Sequence, residues 1–262
     1  MKKFTKLTAF ALALVMALGL LAGCGSSNSD NSTPSGDDAS DAAKTKLVVA
    51  TSPDFPPFES LEGGEVVGIE VDILNKIAEK MGMELDIQQM DFDSVIPGVQ
   101  AGKFDVGMSG ITVTDKRKEN VDFSSVYFMA AQAIVVTADS GITGKADLEG
   151  KKVSVQTGTT AEEYCMGNGY EVLAFTANND AAAALTSGKV DAWVVDNEVA
   201  LAMAPELGLT VLDEAMTSEP YAFAFQKGSE LVAPFNEALD ALLADGTVEK
   251  IFQQYGVTYI AP

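Results

Sequence analysis

A loop of small residues follows a short apolar segment and has the sequence Met108-Ser109-Gly110-Ile111-Thr112-Val113-Thr114-Asp115-Lys116-Arg117. Phe104 to Met108 is predicted to form a buried strand, and the loop begins at its carboxyl end. Gly110 permits close approach of backbone N–H groups to a ligand, Thr112 offers a hydroxyl, and Arg117 presents a planar guanidinium that pairs with a carboxylate. The pattern favours an anion site, although a surface turn with a solvated arginine would contain the same residues.

Composition limits the classes of function. The chain has 262 residues, 47% of them hydrophobic, which is enough for one large domain or two lobes. Acidic residues outnumber basic ones by 38 to 17, which argues against nucleic-acid binding because a phosphate backbone requires a basic surface. The chain contains no histidine, so Cys165 lacks the usual base of a cysteine nucleophile. No cluster of side chains has metal-ligand spacing, and we predict neither a metal nor another cofactor.

The first 23 residues are typical of a bacterial signal peptide. Three lysines precede an apolar run from Leu7 to Ala22, which is too short for a secure membrane span. The run closes with Leu21-Ala22-Gly23-Cys24, which resembles a lipobox, in which the cysteine becomes the lipidated first residue. A plain secretory signal with an incidental cysteine is the alternative.

Residues 24–45 are rich in Ser, Asn, Asp and Gly and have almost nothing to bury. Such a composition predicts a flexible tether that holds a globular body near a membrane surface. We therefore expect an extracellular protein that is anchored to the cell membrane through lipidated Cys24.

After residue 45 the sequence alternates between strand and helix patterns. Lys46 to Thr51 predicts a first strand, and Ile69 to Gly82 has apolar residues at helical spacing and ends at a glycine. Three prolines exclude the loop from Ser52 to Glu59 from the sheet. Tyr221 to Gln226 predicts a last strand before the final helices. The alternation predicts mostly parallel sheets covered on both faces, and its repetition predicts two α/β lobes.

Four loops at predicted strand ends carry residues suited to a ligand, since ligands bind beyond the carboxyl ends of such strands. The first contains Phe55 and Phe58, and the second contains Arg117. The third, Gln156 to Thr160, runs into a helix whose first N–H groups attract a carboxylate. The fourth places Asp196 where it can pair with an ammonium. Together they match an α-amino acid zwitterion, although core phenylalanines, a capped helix start and an N-cap aspartate are the separate alternatives.

The motifs in these loops resemble those of the bacterial extracellular solute-binding proteins of family 3, the polar amino acid receptors of ABC importers. The similarity extends from about Lys46 to Tyr255 and rests on these motifs: Phe55-Pro56-Pro57-Phe58-Glu59, Gly68-Ile69-Glu70-Val71-Asp72, Ser109 to Thr114 with Arg117, Val121-Asp122-Phe123-Ser124, Gly158-Thr159-Thr160, Val190-Asp191-Ala192 with Asp196, and Asp245-Gly246-Thr247. The resemblance implies a type II two-lobe α/β fold with hinge crossings near Ala130 and Phe223. Lobe 1 would comprise residues 46–130 and 224–262, and lobe 2 residues 131–223.

The resemblance also implies a set of ligand-binding residues: Ser52, Phe55, Phe92, Gly110, Thr112, Arg117, Thr160 and Asp196. In this arrangement Arg117 clamps the α-carboxylate with help from the N–H groups of Thr112 and Thr160. Asp196 and the Gly110 carbonyl receive the α-ammonium. Because these groups come from both lobes, binding would stabilise the closed state.

Phe55 and Phe92 are implied to sandwich the ligand side chain. Many binders of cationic amino acids carry an acid where Ser52 stands, so its presence favours an uncharged polar ligand. Asp54 and Glu59 are nearby acids that could compensate for that difference. Glutamine, cystine, histidine, lysine and arginine all remain compatible with the sequence.

The predicted function is non-catalytic capture of a polar amino acid by a monomer, which delivers it to the permease and ATPase subunits of an importer. Gly144-Lys145 is followed by Ala146 where a phosphate loop needs a hydroxyl, so ATP hydrolysis is assigned to other subunits. Two alternatives stay open. One is a secreted dehydratase-like enzyme that uses Asp54 or Glu59, and the other is a sensor domain with a separate signalling partner.

Overall fold

A computed structural model describes residues 45–262. The predicted signal peptide, Cys24 and the tether up to residue 44 lie outside the described residues. Within residues 45–262, the helices are too short or too polar to cross a membrane.

The described residues form strands and helices in alternation. The strands are β1 (Lys46–Thr51), β2 (Asp54–Phe55), β3 (Glu59–Glu62), β4 (Glu65–Val67), β5 (Glu84–Gln89), β6 (Val106–Gly107), β7 (Val121–Phe123), β8 (Phe128–Ala130), β9 (Gln132–Val136), β10 (Lys152–Gln156), β11 (Glu171–Phe175), β12 (Ala192–Asp196), β13 (Thr210–Val211), β14 (Glu219–Tyr221) and β15 (Ala224–Gln226). The helices are α1 (Ile69–Met81), α2 (Phe92–Gln100), α3 (Asp115–Lys118), α4 (Thr160–Gly167), α5 (Asn178–Thr186), α6 (Asn197–Met203), α7 (Val232–Ala244) and α8 (Thr247–Gln254), with a 3-10 helix at Lys145–Leu148.

The first large sheet has the strand order β5-β1-β6-β15-β7. Strand β1 pairs in parallel with β5 and β6, whereas β15 runs antiparallel to β6 and β7. The expectation of a mostly parallel sheet is therefore wrong for half of these pairings. Parallel pairing requires a crossover connection, usually a helix, and the chain instead enters β15 directly from β14.

The second large sheet has the order β11-β10-β12-β9-β13. Strand β10 pairs in parallel with β11 and β12, and β9 pairs antiparallel with β12 and β13. All five residues of β12 are buried, as its continuous apolar run predicts for a strand covered on both faces. The carboxyl ends of β10 and β12 lie at the same edge of this sheet, which places the loops that follow them side by side.

Strands β8 and β14 form a two-stranded antiparallel ribbon between the two large sheets, with Tyr221 opposite Phe128. The prediction of one strand from Tyr221 to Gln226 is wrong, because the chain leaves β8 at Tyr221 and joins β7 only at Ala224. The rings of Phe128 and Phe252 stack beside this ribbon with centroids 4.6 Å apart. This aromatic stacking packs strand β8 of the ribbon against helix α8.

The proline-containing loop stays outside both large sheets, as predicted, but Asp54 and Phe55 pair with β3 in a small three-stranded sheet. Strand β6 is shorter than predicted. The N–H groups of Asp105 and Met108 nevertheless donate to β1 carbonyls at 2.8 and 2.9 Å, which continues the pairing at both ends. The loop that begins at Ser109 is thereby held at the centre of the first sheet.

Candidate ligand-binding site

A central cavity lies where loops from the two large sheets meet. It is lined by Phe55, Phe92, Ser109, Gly110, Thr112, Arg117, Gln156, Thr159, Thr160 and Asp196. Seven of the eight residues predicted to bind a ligand are in this set, and Ser52 is not. The cavity volume is about 10 Å³, which is room for about one water molecule. The two sides of the cavity are therefore in a closed arrangement.

The guanidinium of Arg117 spans the two sides of the cavity. Its Nη1 donates to the Thr112 carbonyl at 2.9 Å, and its Nη2 donates to the Gly158 carbonyl at 3.1 Å. It also lies 5.6 Å from the centre of the Phe92 ring. Burial lowers the pKa of Arg117, and three acidic side chains oppose that shift: Glu163, Glu219 and Asp196. These contacts distinguish Arg117 from the solvated arginine of a simple surface turn.

Asp196 ends strand β12 and is 7% exposed. It occupies the N-cap position of α6, yet its side chain makes no capping hydrogen bond. One carboxylate oxygen accepts from the Tyr221 hydroxyl at 2.6 Å, and the other accepts from the Gln132 side-chain amide at 3.0 Å. Burial raises the pKa of Asp196 to about 7, and the Tyr221 hydrogen bond partly opposes the rise. The carboxyl is thus positioned by side-chain contacts instead of capping its helix.

The two threonines at the start of α4 make different hydrogen bonds. The Thr159 hydroxyl caps the helix by accepting from Glu162 N at 3.2 Å. The Thr160 hydroxyl accepts from the Gln132 amide at 3.3 Å instead. The capped-helix alternative therefore describes Thr159. The uncapped first-turn N–H groups of α4 supply partial positive charge beside the cavity.

Gly110 adopts a left-handed conformation with φ of 52°. A Cβ at this position would lie 2.5 Å from Cε1 of Phe55, so glycine lets the ring lie directly against the loop. The Gly110 N–H donates to a Glu70 carboxylate oxygen at 2.8 Å. Phe55 is 6% exposed and lines the cavity, whereas Phe58 is fully buried in the core. The core alternative therefore describes Phe58 fully, whereas Phe55 both packs in the core and lines the cavity.

Thr112 forms a β-bridge with Tyr221. The two hydrogen bonds of this bridge join Val113 N to Pro220 O at 2.8 Å and Ala222 N to Ile111 O at 3.1 Å. In this geometry the N–H of Thr112 points away from β14, since only its neighbours bond across the bridge. The bridge ties the loop after β6 to the strand that also carries Tyr221, the partner of Asp196.

Ser52 lies beside the cavity and helps to hold Asp54, whose carboxylate accepts from the Ser52 hydroxyl at 3.0 Å. Asp54 belongs to the small sheet that packs on α1, but its other hydrogen bonds reach across to the second large sheet and to α5. They come from Asn178 N at 2.7 Å and from the Gln156 amide at 3.2 Å. Burial raises the pKa of Asp54, and the Asn178 hydrogen bond is the largest opposing effect. Asp54 therefore joins the two sides of the closed cleft.

Sequence reasoning missed Gln132 and Tyr221 as partners of Asp196. Gln132 lies opposite Asp196 in the antiparallel pairing of β9 with β12. Tyr221 reaches Asp196 because β14 crosses between the sheets. Neither relation has a local sequence signal, since both depend on pairing register between distant segments.

Comparisons with known proteins identify the family to which this chain belongs. The sequence profile of the bacterial extracellular solute-binding proteins, family 3, matches residues 47–258. The arginine-binding extracellular protein ArtP of Bacillus subtilis is 36% identical over 243 residues, which is 90% of this chain and 92% of ArtP.

Solved structures show the same fold. An ancestral arginine-binding protein bound to glutamine is 41% identical with a TM-score of 0.77, covering 81% of this chain and 98% of that one. The arginine-, lysine-, histidine-binding protein ArtJ of Geobacillus stearothermophilus is 34% identical with a TM-score of 0.77, covering 83% and 96% of the two chains.

The chain belongs to the bacterial extracellular solute-binding proteins of family 3. Its fold is the type II periplasmic-binding-protein fold, as the resemblance implied. Relatives in this family are amino-acid-binding extracellular proteins of ABC transporters.

Proposed function

We propose that this protein captures a polar α-amino acid between two lobes and delivers it, without catalysis, to the permease of an ABC importer. The observation that carries the proposal is the placement of two opposite charges around one cavity. Arg117 lies in α3, which follows β6 of the first sheet, and Asp196 ends β12 in the second sheet. A zwitterion between them is held at its carboxylate by one side and at its ammonium by the other.

The rest of the cavity supports this assignment. A ligand carboxylate would replace the carbonyl groups of Thr112 and Gly158 as the partner of the Arg117 guanidinium, because a charged acceptor binds it more strongly than a neutral one. The Thr112 N–H and the Thr160 N–H at the start of α4 would complete the carboxylate site. The α-ammonium would lie between Asp196 and the Gly110 carbonyl.

The strand membership of the two sheets supports the lobe boundaries that the resemblance implied. We propose that residues 46–130 and 224–262 form lobe 1, that residues 131–223 form lobe 2, and that the hinge lies near Ala130 and Phe223. Every strand of the second sheet lies within the range assigned to lobe 2. Since residues from both sides of the cleft enclose the cavity, we propose that the lobes separate to admit the ligand and that closure then surrounds it.

We propose that the ligand side chain lies between Phe55 and Phe92, with its end near Gln156, whose amide donates to Asp54 at 3.2 Å just outside the cavity lining. An acid at this end favours a basic side chain, and the Bacillus subtilis relative ArtP is an arginine-binding protein. The sequence-based preference for an uncharged side chain rested on Ser52, which, like Asp54, lies outside the cavity lining and donates to the Asp54 carboxylate. Arginine is therefore the first ligand to test, and glutamine the second, because an ancestral relative was solved with glutamine bound.

The experiment uses the chain from residue 24 with Cys24→Ser, which removes the proposed lipidation site. Its thermal midpoint is measured with each of the twenty amino acids, and any hit is followed by calorimetry. A ligand at 100 times its dissociation constant stabilises the folded state by about 2.7 kcal/mol. A shift with one or a few polar amino acids supports the proposal. No shift with any of them refutes amino acid capture, and release of a converted product from a bound amino acid would refute the non-catalytic part.

The anchoring proposal has its own test. Cells expressing the full chain are labelled with a palmitate analogue, with Cys24→Ser as the matched control. Label that depends on Cys24 and a membrane-bound protein are expected. Secretion of unlabelled protein would show that the cysteine is incidental to a plain signal peptide.

A further inference from the structure

Two glutamate side chains are buried together beneath the loop that carries Ser109 and Gly110. Glu59 begins strand β3, and Glu70 lies in the first turn of α1. Both are 0% exposed, and their carboxyl groups are in hydrogen-bond contact. Two like charges in contact away from water cannot both be ionised at low cost, so the pair holds one proton.

The hydrogen bonds around the pair show which carboxyl holds the proton. Glu70 accepts from the Gly110 N–H at 2.8 Å and from the Tyr127 hydroxyl at 2.5 Å, so both of its oxygens face donors. Glu59 accepts only from the Ser109 hydroxyl, at 2.8 Å through Oε1. Its Oε2 is buried and receives no hydrogen bond from a donor among the described residues. Glu70 is thus arranged as the carboxylate, and the free oxygen of Glu59 is where a proton completes the network.

We propose that Glu59 acts in its neutral form as a hydrogen-bond donor to Glu70, and that this pair positions Ser109 and Gly110 for ligand binding. Glu59 holds the Ser109 hydroxyl, which also accepts from Ser52 N at 3.2 Å. Glu70 accepts from the Gly110 N–H and so fixes the backbone of a residue that lines the cavity. Glu59 is thus a positioning residue and does not touch the ligand. This role rests on the proposed function, because it concerns the loop that would receive the amino acid.

The surroundings of Glu59 agree with a neutral form. The titratable groups that face it are Glu70, Asp54 and Tyr127, all acidic. Burial raises the pKa of Glu59 well above its ordinary value, and the Glu70 charge raises it further. A folded protein that keeps this proton loses stability as the pH rises toward that raised pKa, while the unfolded chain has already released the proton.

The test replaces Glu59 and Glu70 separately by glutamine and compares ligand binding by the two variants. Glu59→Gln keeps an acceptor for Ser109 and a donor for Glu70, so we expect binding of arginine and glutamine within about threefold of wild type. Glu70→Gln keeps one acceptor oxygen but places an amide NH2 where a second acceptor is needed, opposite either the Gly110 N–H or the Tyr127 hydroxyl, and we expect a loss of more than about tenfold. Glu59→Ala should also lose more than about tenfold, and Glu62→Gln, at an exposed position of the same strand, is the matched control.

Two readouts do not depend on any ligand. Infrared difference spectra of wild type minus Glu59→Gln at neutral pH should show the loss of a protonated carboxyl band. The thermal midpoint of wild type should also fall more steeply than that of Glu59→Gln as the pH rises above 4.5, the ordinary pKa of a glutamate. If no amino acid binds, these two readouts still decide whether Glu59 is protonated.

Three results would overturn the proposal. The first is the loss of an ionised carboxylate band in Glu59→Gln. The second is equal tolerance of glutamine at both positions. The third is a loss in Glu59→Gln that is confined to arginine, since that would make Glu59 an anionic partner of the ligand side chain and not a neutral donor to Glu70.

Discussion

Replacement of Asp196 by asparagine should stabilise the ligand-free protein while abolishing amino acid binding. The folded protein holds the Asp196 proton until about pH 7, because burial raises the pKa from 3.8 to about 7. The unfolded chain releases the same proton near its ordinary pKa. The free energy of unfolding contributed by this group therefore falls as the pH rises from about 4 to about 7, and the full penalty is present above that range.

The size of the stabilisation in Asp196→Asn follows from the raised pKa of Asp196. About three pKa units at 1.36 kcal/mol each give a penalty of up to about 4 kcal/mol at pH 8. Asparagine cannot ionise and still accepts from the Tyr221 hydroxyl. The Gln132 side-chain oxygen is buried and has no hydrogen-bond partner within residues 45–262, so it can turn to accept from the new amide. Relative to wild type, Asp196→Asn should gain up to about 10 °C in thermal midpoint at pH 8 and little at pH 4.

The assay is thermal or chemical unfolding of both proteins between about pH 4 and pH 8, with Asp139→Asn, at an exposed position, as the control. Ligand affinity is measured in parallel. The variant should bind arginine at least about 100-fold more weakly, because the ammonium loses its charged partner. Wild-type affinity should rise between about pH 6 and pH 8, since the ammonium pairs with the ionised carboxylate. A stability difference that does not change with pH would refute the raised pKa, and unchanged affinity would remove Asp196 from the site.

Further substitutions test other parts of the site. Arg117→Ala should abolish amino acid binding, a loss of about 3 to 5 kcal/mol of binding free energy, with an unchanged circular dichroism spectrum. Lys118→Ala is the control. Retained affinity in Arg117→Ala would contradict its role in binding the carboxylate. Phe92→Ala should change the ranking of amino acids by calorimetry more than it weakens them all, and an equal loss for every ligand would argue against a side-chain contact. Asp54→Ala should weaken binding and increase the radius of gyration of the liganded protein in solution scattering, because it removes the hydrogen bond to Asn178 that joins the two sides; an unchanged scattering profile and affinity would show that this contact does not hold the cleft closed.

Local chemistry made much of the fold and site predictable. The alternation of apolar periods indicated an α/β fold in two units, because strand and helix spacing are properties of the chain itself. Gly110, Arg117 and Asp196 could be identified because each is a residue type with a distinct physical use at the end of a predicted strand. The family motifs added Phe92 and Thr160, and the structure places all five around the central cavity.

Tertiary structure alone decided the relations between distant segments. The pairing of Gln132 with Asp196 depends on the register of β9 against β12, and the protonated pair of Glu59 and Glu70 depends on the packing of β3 against α1. A sequence pattern records which side chains are available at each position. It does not record which of them are buried together, and burial is what raises the pKa of Asp196 and leaves Glu59 and Glu70 to share one proton.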